Sequence, residues 1–173
     1  SPQIYQSIFK DENGEEHKYS RKNLTIFLSD IVKFTDLADT LEPERLAAVV
    51  NTYLSEMSAI AVECGGTIDK FIGDAVLVFF GDPETSGVKE DALKCVTMAI
   101  VMQKKMRELE DQWAQKFSLR EPLQMRVGIN TGYCTVGNFG SDDRLDYTVI
   151  GGQVNLASRL ESIAKPSSIL ISY

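Results

Sequence analysis

Asp30 and Asp74 have the types and positions that could do chemistry. Asp30 closes the apolar run Leu24-Thr-Ile-Phe-Leu-Ser-Asp30, and Asp74 sits between Thr67-Ile-Asp-Lys-Phe-Ile72 and Ala75-Val-Leu-Val-Phe-Phe80. A carboxylate ending a buried strand points out of the core, into the crevice where ligands bind. Two such carboxylates brought together make an oxygen-rich site suited to hard divalent cations such as Mg²⁺. A pair of such ions can activate one oxygen and stabilise another in an in-line displacement at phosphorus. Taken singly, Asp30 reads as a helix cap and Asp74 as the filler of a Gly-Asp turn. The residues around them favour the chemical reading.

After Asp30 the chain runs Ile31-Val-Lys-Phe34-Thr35 into a helix, whose free amides favour anionic oxygens. Phe34 and Thr35 can equally pack and cap. Lys70 precedes Asp74 by four residues, roughly 13 Å of strand rise. Flanked by Ile68, Phe71 and Ile72, it is expected to pack its stem and aim its ammonium at one spot. A donor-only cation matches N1 of adenine and opposes the N1–H of guanine. Asn155 and Arg159 are four apart on a helix and so share one face. An amide beside a guanidinium suits a triphosphate or a developing pentavalent phosphate. An exposed polar face is the plain alternative.

Composition removes several classes of function. The 173 residues make one domain with room for a core, 43% apolar and 25% charged. The net charge of −7, with no Lys/Arg stripe, argues against nucleic acid as a partner. His17, the single histidine, sits in the polar segment Asp11–Lys18, which argues against Ser-His-Asp and Cys-His catalysis and leaves metals or carboxylates to move protons. Cys64, Cys95 and Cys134 are odd in number and lack zinc spacing; Cys64 and Cys95 lie in helical apolar patterns, where core packing fits them, and a reducing compartment fits all three. No apolar stretch reaches membrane-spanning length, and no signal peptide is visible. The chain begins at Ser1, so it reads as a piece of something longer.

The elements that must hold these residues follow from periodicity. Residues 1–22 read as a connecting segment with a helically spaced patch at Ile4, Tyr5, Ile8 and Phe9. Strands are expected at 24–30, 67–72, 75–80, 145–150 and 169–171. Met125, Val127 and Ile129 alternate in another strand, with a turn at Gly132 into a further one through Val136. Helices are expected at 34–41, from Pro43 to Gly65-Gly66, at 88–114 and at 152–164. The longest has Ala92, Cys95, Val96, Ala99, Ile100, Met106 and Leu109 inward. The last has Leu156, Ala157 and Leu160 opposite Asn155 and Arg159. Hairpins mixed with helices predict an α+β domain, a largely antiparallel sheet with helices on one face. Walker and dinucleotide glycine motifs are absent.

Four segments carry a resemblance: Phe27-Leu-Ser-Asp30-Ile-Val-Lys-Phe-Thr35, Asp69-Lys70-Phe-Ile-Gly-Asp74, Met125-Arg-Val-Gly-Ile-Asn-Thr-Gly132-Tyr-Cys-Thr-Val-Gly137-Asn-Phe-Gly140, and Asp146-Tyr-Thr148-Val-Ile-Gly-Gly-Gln-Val-Asn155-Leu-Ala-Ser-Arg159-Leu-Glu161. Together they resemble the catalytic domain of class III nucleotide cyclases, in detail the bacterial adenylate cyclases. The resemblance implies a ferredoxin-like α+β fold over residues 23–173, with the family's usual C-terminal strands lying beyond them. It implies conversion of ATP to cyclic AMP and pyrophosphate. Asp30, the Ile31 carbonyl and Asp74 would bind two Mg²⁺ (or Mn²⁺). Lys70 and Thr148 would read adenine, Asn155 would orient the ribose and Arg159 would stabilise the α-phosphate. Family guanylate cyclases usually carry Glu at the lysine and Cys or a similar residue at the second position, so this pair favours ATP. Thr148 stands where many adenylate cyclases have Asp, and resembles a subset that includes bicarbonate-responsive enzymes. Gly152 and Tyr133 also depart from common family residues.

The resemblance further implies a head-to-tail homodimer. One subunit would supply Asp30 and Asp74, the other Lys70, Thr148, Asn155 and Arg159. It implies a cytoplasmic domain in a parent carrying an upstream sensor or a membrane anchor, with the inner membrane as the site of anchoring. A guanylate cyclase and a non-catalytic nucleotide-binding regulatory domain are the alternatives. A diguanylate cyclase would need a Gly-Gly-Asp-Glu-Phe hairpin, which Ile-Gly73-Asp74-Ala-Val lacks.

Overall fold

A central sheet of six strands organises the computed structural model, which describes residues 19–141 and 144–172. In chain order the elements are β1 (Tyr19–Ile31), α1 (Phe34–Thr40), α2 (Pro43–Glu63), β2 (Thr67–Ile72), β3 (Ala75–Phe80), α3 (Val88–Glu108), α4 (Glu110–Phe117), β4 (Met125–Ser141), β5 (Arg144–Ile150), α5 (Gly152–Ile163) and β6 (Ile169–Ile171). The sheet order is β2-β3-β1-β4-β5, antiparallel throughout. β6 joins the inner half of β4 in parallel, at Val127–Ile129, on the edge whose outer half pairs β5. The α+β class and the antiparallel sheet agree with the sequence reading.

The helices lie on both faces of the sheet, not on one. Phe27 and Ile31 of β1 share a core with Val49, Tyr53 and Met57 of α2, with Cys95, Met98 and Met102 of α3, and with Trp113 and Phe117 of α4. The alternate residues Leu24, Ile26 and Leu28 join Leu77, Phe79, Val136 and Ala157 of α5 in a second core. β1 is therefore apolar on both sides, because successive side chains point to opposite faces.

Four local expectations are corrected. Residues 19–22 belong to β1 rather than to a connecting segment; the patch at Ile4–Phe9 and His17 lie outside the described residues. The predicted helix over 88–114 breaks at Leu109, whose ψ of −2° leaves helical values. The break lets Leu109, Trp113 and Phe117 all reach the first core. Met98, Met102 and Met106 line the inner face of α3, and Ile100 is exposed.

Gly132 makes no turn, since β4 runs straight through it. It and Gly128 are gaps for α5: a Cβ at Gly128 would lie 2.2 Å from the Ala157 carbonyl oxygen, and one at Gly132 2.6 Å from the Gln153 side chain. The buried Asn130 between them donates its side-chain amide to the Gln153 carbonyl and Oε1 at 3.1 and 2.7 Å. Small residues and one amide thus seat α5 directly on the strand. Cys64, Cys95 and Cys134 are free; Cys95 is buried, in keeping with core packing, Cys64 is half-buried, and Cys134 is buried as well.

Candidate active site

β1 and the β2–β3 turn bring Asp30 and Asp74 together. The Asp74 Oδ2 accepts the Ile31 amide at 2.7 Å, so the turn is tied to the end of β1. Asp30 faces Arg126 across the β1–β4 ladder, in register. The guanidinium grips both carboxylate oxygens, Nε to Oδ1 at 2.9 Å and Nη2 to Oδ2 at 2.6 Å. Its Nη1 donates to the Ser162 carbonyl of α5 at 3.0 Å, and Nη2 lies 3.2 Å from Glu161 Oε1. That pairing lacks hydrogen-bond geometry, and Glu161 Oε1 is buried with no hydrogen bond among the described residues.

Asp30 and Glu161 therefore share one guanidinium, and Asp74 lies near enough for its charge to be felt there. Burial raises the Asp74 carboxyl above its ordinary value, and the charge of Asp30 adds to the shift. Burial likewise pushes Glu161 up to about 7, with Asp30 beside it contributing next. The cluster holds more anion than Arg126 balances. Hard oxygens with surplus negative charge are the donor set that a divalent cation takes. Among the described residues no group of three or more His, Cys, Asp or Glu side chains is placed to hold a metal ion, so the donor set that fits the ions the resemblance implies is the two aspartates with the Ile31 carbonyl.

Phe34 packs against the first core, and Thr35 is exposed and caps nothing. The N-cap of α1 is Lys33, in a left-handed conformation with φ 56° and no side-chain cap. The first-turn amides of α1 thus have no side-chain acceptor.

A second group forms at a distance from the first. β2 is irregular between Ile68 and Lys70, and Asp69 there turns inward, its side chain only 1% exposed. Its Oδ2 accepts the Thr148 hydroxyl of β5 at 2.7 Å and the Val149 amide at 3.3 Å. Burial raises the Asp69 carboxyl, and these donors, with Lys70, oppose the shift. Lys70 stands 3.6 Å from Asp69 Oδ1. Its side chain is 44% exposed and its neighbours Phe71 and Ile72 are exposed too, so the expected packing of its stem is not found. Next along β5, Tyr147 donates to the buried Asp82, which also pairs with Lys22. Two successive hydroxyls of β5 thus anchor it to buried carboxylates from the β2–β3 side of the sheet.

Asn155 and Arg159 are exposed on α5, opposite the face that carries Ala157 and Glu161. Leu156 is exposed beside them, against expectation. Among the described residues no side-chain hydrogen bond or ion pair restrains either one. The predicted site residues thus fall into three places: Asp30 with Asp74, Lys70 with Thr148, and the outward pair on α5.

Arg126, Glu161 and Asp69 lie within the four segments that carry the resemblance, and their roles emerge only from the structure. Each carried a signal. Arg126 is a charged residue at an intervening position of the Met125-Val127-Ile129 alternation, Glu161 lies four residues after Ala157 on its buried stripe, and Asp69 is a carboxylate inside a strand flanked by Ile68 and Phe71.

The model of the adenylate and guanylate cyclase catalytic domain matches residues 16–173. The terminal-differentiation specific adenylate cyclase of Dictyostelium discoideum is 38% identical over 153 residues, 87% of this chain and 7% of that protein. Among solved structures, the adenylyl cyclase CyaB from P. aeruginosa is 57% identical, with a TM-score of 0.87 over 90% of this chain and 79% of that one. The guanylyl cyclase Cya2 is 43% identical, with a TM-score of 0.83 over 88% of this chain and 76% of that one. The chain spans less than a tenth of the Dictyostelium protein. With the family model matching nearly the whole chain and the antiparallel sheet carrying its paired aspartates, this chain belongs to the class III adenylate and guanylate cyclase catalytic domain family.

Proposed function

We propose that this chain is the catalytic domain of an adenylate cyclase, converting ATP to 3′,5′-cyclic AMP and pyrophosphate at the interface of a homodimer. The observation that carries the reading is the pairing of Lys70 with Thr148 through Asp69, apart from the Asp30–Asp74 cluster. A donor-only ammonium beside a hydroxyl suits the edge of adenine. The 57% identity to an adenylyl cyclase supports the same substrate.

Asp30, the Ile31 carbonyl and Asp74 would hold two Mg²⁺ (or Mn²⁺) ions. Bound there, the ions supply activation of the ribose 3′-hydroxyl and charge stabilisation on the departing pyrophosphate. Arg126 keeps the Asp30 carboxylate in a fixed plane. The uncapped amides at Phe34 and Thr35 receive phosphate oxygens. The partner's Lys70 donates to adenine N1, and the partner's Thr148 accepts from the 6-amino group. From the partner's α5, Asn155 orients the ribose for in-line attack on the α-phosphorus. Arg159 takes up the charge that grows on the α-phosphate oxygens.

The outward direction of Asn155 and Arg159 supports a second copy as the body they serve. Within one subunit they turn away from the face that carries Glu161. The short share of the Dictyostelium relative supports a larger parent, with an upstream sensor or membrane anchor and this domain in the cytoplasm. No helix among the described residues is long and apolar enough to cross a membrane. Nucleic acid has no place in the reading, given the net charge of −7.

The 43% identity to a guanylyl cyclase favours one second reading, GTP as substrate. The test is full-length protein with Mn²⁺ or Mg²⁺ and equal ATP and GTP, the products resolved by chromatography. Cyclic AMP as the main product is expected. Predominant cyclic GMP would transfer the reading to guanylate cyclase, and no cyclic product would leave a nucleotide-binding domain.

A further inference from the structure

The contact between Asp69 and Thr148 decides more than the position of a side chain. An ionised carboxylate is acceptor only, so a hydroxyl 2.7 Å away must give it its hydrogen. The Val149 amide, which can only donate, meets the same Oδ2 at 3.3 Å and holds that oxygen in place. With its hydrogen committed, the Thr148 hydroxyl has only lone pairs to offer a third group. Lys70, 3.6 Å from the other carboxylate oxygen, has only donors to offer.

We propose that Asp69 is a specificity-determining residue that fixes Thr148 as an acceptor, so that the pair admits a 6-amino purine and rejects a 6-oxo purine. The inference rests on the reading that Lys70 and Thr148 face the base. Lys70 and Thr148 then present donor and acceptor, the complement of adenine N1 and N6–H. Guanine offers the inverse, N1–H and O6. A free threonine hydroxyl would rotate to serve either base, and Asp69 removes that choice. Asp69 need not touch the nucleotide; it acts through Thr148.

The test compares kcat/KM for three substrates on the full-length protein: ATP, purine riboside triphosphate, which lacks the 6-substituent, and inosine triphosphate, which carries a 6-oxo group. One net hydrogen bond predicts roughly a tenfold preference for ATP over purine riboside triphosphate. Thr148→Val should bring that ratio to about twofold or less. Asp69→Ala should leave that ratio within about threefold of wild type, because a freed hydroxyl can still accept from the 6-amino group. Asp69→Ala should also raise inosine triphosphate relative to purine riboside triphosphate by roughly threefold or more, because the freed hydroxyl can donate to O6. A merely structural role would slow all three substrates together. Asp69→Asn keeps an oxygen on the Val149 amide and the Thr148 hydroxyl, and should hold inosine triphosphate relative to purine riboside triphosphate within about twofold of wild type. Should Asp69→Ala not melt cooperatively, Asp69→Val, suited to a strand, takes its place.

If Thr148→Val leaves the ATP ratio unchanged, the adenine-pocket reading fails and the inference with it. If Thr148→Val lowers it and Asp69→Ala does not raise inosine triphosphate relative to purine riboside triphosphate, the pocket stands and the role of Asp69 is overturned. If Asp69→Asn raises inosine triphosphate as much as Asp69→Ala does, charge rather than hydroxyl direction is at work, and the inference is likewise overturned.

Discussion

Asp30 and Asp74 differ in how they are held, and the difference sets what substitution does. Asp30 is bound through both oxygens by Arg126, and Asp74 through one oxygen by the Ile31 amide. Asn in either place keeps the shape and removes the charge that a divalent cation needs. Asp30→Asn and Asp74→Asn are each expected to lower kcat by roughly 100-fold or more while the circular-dichroism melt stays cooperative. Substantial Mg²⁺-dependent turnover in either folded variant would refute the two-aspartate mechanism. At the base, Lys70→Glu with Thr148→Cys leaves the adenine edge facing the wrong groups. The ATP/GTP ratio of kcat/KM should fall by about 100-fold or more, since a site built to hydrogen-bond one edge rejects an edge that cannot answer it. An unchanged ratio would show that these two positions do not read the base.

At the scale of elements, α5 is the part whose placement matters most. Its inner face carries Glu161 and the Ser162 carbonyl to Arg126, and its outer face carries Asn155 and Arg159. The seat is Gly128, where a Cβ would meet the Ala157 carbonyl at 2.2 Å and the Glu161 amide at 2.3 Å. Both are backbone atoms of a helix, so neither can rotate aside; the helix must lift. Gly128→Ala is expected to cost about 1–3 kcal/mol of stability, read by denaturant titration. It should also lower kcat out of proportion to that loss, because the lift moves both the Arg126 partners and the outward pair. Wild-type kcat in a measurably destabilised Gly128→Ala protein would show that the seating of α5 is not what aligns the site.

For the whole molecule, the separation of the groups argues for two copies working as one. A two-fold pair repeats each contact, so each dimer has two sites, each drawing on both chains. Asp30→Asn and Arg159→Ala homodimers should each be strongly impaired, with damage in both sites. After subunit exchange, half of the dimers are mixed, and each mixed dimer has one intact site and one doubly damaged one. Activity of an equal mixture should recover to about a quarter of wild type. If exchange is verified by a labelled-subunit assay and activity stays at the level of the separate variants, the shared-site arrangement is wrong for this protein.

What the sequence determined by itself is local and periodic. The β2–β3 hairpin around Gly73-Asp74, the start of α2 at Pro43 and the face shared by Asn155 and Arg159 all depend on neighbours within a few residues. Turn chemistry and helical spacing are properties of such short stretches. The motifs carrying Asp30, Asp74, Lys70, Asn155 and Arg159 were legible for the same reason. Register and close approach decided the rest. Arg126 meets Asp30 only because β1 and β4 pair in one register, and Asp69 meets Thr148 only because an irregularity in β2 turns it toward β5. Gly132 looked like a turn because glycine's freedom is the commoner signal, while its use here is the absence of a side chain under α5. The alternation of β1 could not assign helices to both faces, since an apolar run fits one thick core or two thin ones. Contacts between residues some 80 to 100 positions apart are set by how the strands stack, and no window along the chain contains them.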